Sequence, residues 1–82
     1  MTEQMMAVRY CVNEFMDMVD NTYIPENDDE LIELQSLSRM INDYRIEISW
    51  NSKEFAYEIK ELKRMTKELD DMAKVYKSFR GR

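Results

Sequence analysis

Glu26, Asp28 and Glu30 form a close set of alternating oxygen donors, the ligand type that holds hard divalent cations. The spacing lacks the mid-loop glycine and the distant bidentate glutamate of a calcium loop, so the set specifies no metal site. Directly ahead of an apolar repeat, Asp28, Asp29 and Glu30 instead suit the first turn of a helix, where carboxylates complement the positive end of the dipole. Other reactive pairings fail on composition. The chain contains no histidine, which removes the commonest general base and the commonest zinc ligand together. Cys11, the single cysteine, stands between Tyr10 and Val12 beside an apolar stripe, where it reads as a small buried hydrophobe. Asp70-Asp71 falls on a face expected to be solvated, where nothing would raise a carboxyl pKa. Gly81 is the only glycine, so no glycine-rich loop can cradle a phosphate. These residues predict a protein that is not an enzyme, with no catalytic, metal or cofactor residues.

A basic stripe is the remaining candidate for chemistry. Lys53, Lys60, Lys67 and Lys74 recur every seven residues, flanked by Lys63, Arg64 and Lys77, and such a helix face can track phosphates. Glu61, Glu68, Asp70 and Asp71 interrupt it, and Arg64–Glu68, Lys67–Asp71 and Asp70–Lys74 are spaced as helix-supporting pairs. A solvated face is the preferred reading, and nucleic-acid binding the third choice of function.

The elements that must carry these residues are helical. Eighty-two residues with one glycine, one proline and 35% charged side chains offer little punctuation for a β fold. They form one domain, 1–82, of a size that buries only about 60–65% of its unfolded surface. The expected fold is all-α, a three-helix bundle with a long antiparallel hairpin of helices 2 and 3 in coiled-coil-like packing. Helix 1 runs over about 3–20, capped by Thr2, with Met5, Val8, Val12, Phe15 and Val19 as its core stripe and Met16 beside them. Pro25 ends the segment that follows and Asn27 or Asp28 caps helix 2, about 28–48, whose seam is Leu34, Leu37, Ile41, Tyr44 and Ile48 with Leu31 and Met40 alongside.

Helix 3, about 52–80, has the strongest pattern. Phe55, Leu62, Leu69 and Tyr76 are seven apart, Met65, Met72 and Phe79 interleave, and Ile59, Thr66 and Ala73 widen the seam. Asn51 as N-cap puts Glu54 where its carboxylate reaches the cap's N–H, and Trp50 and Phe55 at the two positions of a hydrophobic staple. Residues 45–50 alternate polar and apolar like a strand, but a lone strand has no partner in this chain except across a dimer, so a frayed helix end and a turn near Trp50–Ser52 are expected, with one helix continuous through residues 45–52 as the alternative.

Charge supports that hairpin. Residues 1–51 hold 11 acids against Arg9, Arg39 and Arg45, a balance of −8, and residues 52–82 hold nine bases against six acids, a balance of +3. Counted outward from Asn51, Asp28 falls level with Lys74 and Glu33 with Leu69, bringing the acidic start of helix 2 beside Lys74, Lys77, Arg80 and Arg82. At about 1.5 Å per residue helix 3 would outrun helix 2, leaving Tyr76 and Phe79 for helix 1 or a second chain to cover.

Two local resemblances bear on function. Leu34-Gln35-Ser36-Leu37-Ser38-Arg39-Met40-Ile41-Asn42-Asp43-Tyr44 resembles the second helix of the small sporulation aspartyl-phosphate phosphatases, matching their Ser-Gln-Glu-Leu-Asp motif at Gln35 and Leu37. Ser36 and Ser38 replace the motif's acids, so the activity does not carry over. Trp50-Asn51-Ser52 followed by Phe55 resembles the Trp-x-Gly helical-hairpin proteins exported by type VII secretion, with Ser52 in place of the glycine. That family's Tyr-x-x-x-acid signal would start at Tyr76 and meets Arg80 instead, and Pro25 breaks what should be one long first helix.

The expected function is a non-catalytic protein–protein interaction module, a small regulatory or inhibitor protein docking on a larger one. Mobile-element inhibitors of host machinery share its small size and acidic balance, which admits a phage protein among the readings. The expected contact residues are Met6 and Met18, off the main stripe of helix 1, and Tyr76, Phe79 and Arg80 at the end of helix 3. The partner would be another protein or, in the alternative, a second copy in a homodimeric structural or secretion-linked hairpin. No small-molecule substrate or membrane is expected. One cysteine and the absence of a basic, apolar leader point to the cytoplasm, or to the host cytoplasm for a phage protein.

Overall fold

Three apolar stripes on one short chain are buried by laying three helices side by side, and the computed structural model, which describes residues 2–80, has that form. Helix α1 spans Glu3–Asp20, α2 spans Asp28–Ile48, a 3₁₀ turn covers Ser49–Asn51, and α3 spans Ala56–Arg80. No strand occurs among the described residues; the alternating stretch after Arg45 continues as helix to Ile48 and then tightens. The bundle is a rod of 50 × 18 × 15 Å in which α2 and α3 pack closely as an antiparallel hairpin.

The core reproduces the stripes. Val8, Val12 and Val19 from α1, Leu31, Leu34, Ile41 and Ile48 from α2, and Leu62, Met65, Leu69 and Ala73 from α3 are buried together with Phe55. Met5, Phe15, Met16, Leu37, Tyr44, Ile59, Met72 and Tyr76 pack half-buried around them. Met40, expected beside the seam of α2, is exposed, because the buried face of α2 follows Leu34, Ile41 and Ile48 and turns Met40 outward.

The starts of α1 and α2 are capped as their sequences dictate. The Met5 N–H donates to Thr2 Oγ1 at 3.1 Å, and the Glu30 N–H donates to Asn27 Oδ1 at 2.9 Å. Glu30 in turn accepts the Glu26 N–H at 2.9 Å, so one member of the acidic set serves the helix start. At the other end of α1 Asn21 caps with φ −95° and ψ 8°, outside the left-handed region.

The turn between α2 and α3 is made without glycine and without any positive-φ residue among those described. The Ser49 hydroxyl donates to the Ile46 carbonyl at 2.6 Å, and the backbone tightens into i→i+3 bonding. Asn51 belongs to that tightened turn. Its side-chain amide donates to Glu54 Oε2 at 2.7 Å while the Glu54 N–H approaches Asn51 Oδ1 at 3.5 Å, in place of the expected reach of Glu54 to the cap's own N–H. Regular helix begins at Ala56, four residues later than about 52, after a looser turn in which the Phe55 N–H reaches the Asn51 carbonyl at 3.1 Å. The staple is present: the Trp50 and Phe55 rings meet edge-on at 6.3 Å. Phe55 is sealed in the core, whereas Trp50 remains 65% exposed. Trp50→Ala should therefore cost about 1 kcal/mol, the worth of one aromatic pair, and lower Tm by about 4–8 °C. A thermal melt followed by circular dichroism checks this.

The longer turn shifts the hairpin register. Asp28 meets Tyr76 and Arg80 instead of Lys74, and Ser38 rather than Glu33 faces the Leu69–Asp70 level, its hydroxyl donating to Asp70 Oδ1 at 3.4 Å. Helix α3 thus does not outrun α2 as far as Tyr76: the first residue of α2 engages that ring's hydroxyl.

Candidate partner-binding surface

The five expected contact residues fall into two environments. Tyr76 and Arg80 are tied to the start of α2. The Tyr76 hydroxyl donates to Asp28 Oδ1 at 2.7 Å, and Arg80 Nη1 lies 3.0 Å from the same oxygen. The hydrogen bond to Asp28, ahead of a small desolvation, holds the Tyr76 hydroxyl above its usual pKa. Both partners of the Arg80–Asp28 pair are more than half exposed, so it contributes only about 0–1 kcal/mol and chiefly sets orientation. Arg82, expected in the same basic group, lies outside the described residues.

Met6, Met18 and Phe79 are exposed. They do not form one patch. Arg9 on α1 is level with Glu58 near the start of α3, while Arg80 is level with Asp28. At 1.5 Å per residue this places Met6 and Phe79 roughly 35 Å apart along the rod. Met6 has Tyr10 one turn away on the same exposed face, and Phe79 has Val75, so each is half of an i,i+4 apolar pair.

Met18 belongs to a different feature. A groove of about 590 Å³ opens between the end of α1, the segment after it and the first half of α2. Its apolar lining is Leu34 and Leu37, which are buried and half-buried, and Met18 and Tyr23, which are exposed. Glu14, Asp17, Glu30 and Glu33 surround them with carboxylates. Glu30 is engaged by the Glu26 N–H; the carboxylates of Glu14, Asp17 and Glu33 enter no ion pair among the described residues. No base lines the groove. The acids are visible in the sequence, but the groove depends on how α1 diverges from α2 across the Asn21–Asn27 connection, which periodicity does not encode.

Two further sites escaped sequence reasoning. Glu58 is only 5% exposed and faces Arg9 Nε at 3.8 Å across the α1–α3 contact. Its signal was available: Glu58 follows Phe55 by three and precedes Leu62 by four, placing a charge on the seam face. The other is Tyr44, whose ring packs 5.7 Å from that of Phe15. Burial, then contact with the half-buried Cys11 side chain, then the charges of Cys11 and Glu47, push its hydroxyl well above the ordinary 10.0. A raised phenol pKa stabilises the fold fully below the unfolded value of about 10, and that stability drains away as pH climbs toward the folded value. Tm should fall above pH 10 in the native chain, and less steeply in Tyr44→Phe, as thermal melts across pH 9 to about 12 would show.

On α3 the basic stripe is partly neutralised. Arg64 reaches Glu61 at 2.9 Å and Glu68 at 2.6 Å. Lys67–Asp71 and Asp70–Lys74 form no ion pairs among the described residues; Asp70 instead accepts from Ser38. No helix among these residues is long and apolar enough to cross a membrane, and no three acidic or cysteine side chains among them gather as a metal cage would. No family model, curated protein or solved structure matches the chain.

Proposed function

We infer that the chain is a non-catalytic interaction module that docks on a larger protein and acts by occupying its surface, as a small regulator or inhibitor. The observation that supports this is the set of apolar side chains left in solvent: Met6 with Tyr10 and Val75 with Phe79, each pair one turn apart on a regular helix, and Met18 at the end of α1 with Tyr23 in the connection after it. Scattered exposed hydrophobes are ordinary, but neighbours repeated at one helical turn form the contiguous apolar area that partner surfaces use. Methionine, unbranched and polarizable, adapts such a surface to its partner. Tyr76 and Arg80 serve it indirectly, by fixing the start of α2 against α3.

The test is capture of the tagged chain from its native cell, comparing the parent with Met6→Ser, Met18→Ser and Phe79→Ser. The reading requires a stoichiometric partner lost in at least one variant, while Lys60→Glu with Lys67→Glu retains it. Sedimentation of the purified chain gives the counter-result: a tight dimer with no monomer would assign these apolar residues to self-association.

A further inference from the structure

We propose that the groove between the end of α1 and the first half of α2 receives a basic, amphipathic helical segment of the partner protein. This rests on reading the chain as an interaction module and adds the chemistry of what it binds. Two features of the groove select that occupant. Its apolar lining, Leu34, Leu37, Met18 and Tyr23, calls for apolar side chains in return, since a purely polar ligand would leave Met18 and the ring of Tyr23 in water. Its rim is of one sign. Glu14, Asp17 and Glu33 carry unneutralised charge around that apolar area, so a lysine or arginine flanking an apolar stripe would relieve their mutual repulsion as it docks. Nucleic acid and acidic surfaces are repelled by the same rim.

The groove's exposed apolar residues also suit a partner contact. Tyr23, 80% exposed, offers a rigid ring with a hydroxyl at its tip, the kind of anchor that dominates interface energies. Met18, 45% exposed on the facing helix, can shift rotamer to close on an inserted side chain. An apolar stripe recurring every three to four residues, bordered by cations, is the helix-in-groove mode of recognition.

The experiment titrates the isotopically labelled full chain with three synthetic peptides and follows amide and methyl shifts. One is patterned from Leu and Lys as an amphipathic helix; the second replaces Lys by Glu; the third keeps Lys but replaces Leu by Gln. Only the first should give saturable shifts at Met18, Tyr23, Leu34 and Leu37, with affinity falling about tenfold or more as salt screens the rim. Asp17→Asn with Glu33→Gln should weaken it about tenfold, as should Met18→Ser, with melting curves near the parent's because these side chains are exposed. Equal binding by the Leu-free peptide, or shifts spread along α3 instead of the groove, would overturn the assignment. So would a concentration-dependent dimer whose own shifts map to the same four residues, which would make a second copy the occupant. Failure here is separable from failure of the function: a captured partner that tolerates Asp17→Asn with Glu33→Gln but is lost in Phe79→Ser leaves the module intact and moves its site to the end of α3.

Discussion

Leu62→Ala should destabilise the bundle by about 2–5 kcal/mol. Leu62 is completely buried in the first half of α3 and belongs to the core shared by all three helices. Truncation removes the transfer energy of the lost methyl groups and opens a void that close-packed helices fill only in part. The total stability of a domain this size is about 4–12 kcal/mol, so one truncation takes a large share of it. Tm should drop by about 10 °C or more, and a linear-extrapolation denaturant melt should show a lower midpoint with an unchanged slope. Phe79→Ser is the contrast. Phe79 continues the same a/d spacing but is 65% exposed, so its loss should stay within about 0.5 kcal/mol. Equal losses at both positions would mean that the two residues share one core, and the exposed end of α3 would not be a free surface.

That contrast also marks how far the sequence reaches. The seam Phe55–Leu62–Leu69 is legible because a seven-residue repeat on a helix has one physical consequence: those side chains share a face and must be covered. Pro25 and the Asn27 cap are legible because each acts through its nearest neighbours. The level of Asp28 against α3 is not, since it depends on how many residues the turn consumes, and a glycine-free turn solved by 3₁₀ tightening consumes more than a sharp corner would. The groove is hidden for a related reason. Glu30 reads as dipole complement and Glu33 as part of the acidic start of their helix, and only the path of α1 past them makes them a rim. Glu58 is different: its position on the seam is written in the spacing, and its charge argued for the surface. Position outweighed residue type there because Arg9 arrives from another helix.

Arg9 and Glu58 yield the second large effect. A carboxylate that is 5% exposed has lost most of its water, and the guanidinium 3.8 Å away offsets part of that cost across the α1–α3 contact. Arg9 is half exposed, so the pair is worth less than a fully enclosed one, and simply removing the cation should cost about 1–3 kcal/mol. Arg9→Glu goes further, setting a second negative charge against a buried one, and should cost about 2–4 kcal/mol. In that background Glu58→Gln should recover most of the loss, because a neutral amide keeps the shape and removes the repulsion; a double-mutant cycle by denaturant melts measures the coupling. The consequence extends beyond stability. Helix α1 carries Met18 and the Glu14–Asp17 side of the groove, so loosening its contact with α3 loosens the wall against which a partner helix would pack. Arg9→Glu should therefore weaken binding of the Leu/Lys peptide although Arg9 does not line the groove, and Glu58→Gln should restore stability and binding together. Recovery of stability without recovery of binding would show that α1 is not the wall the partner reads.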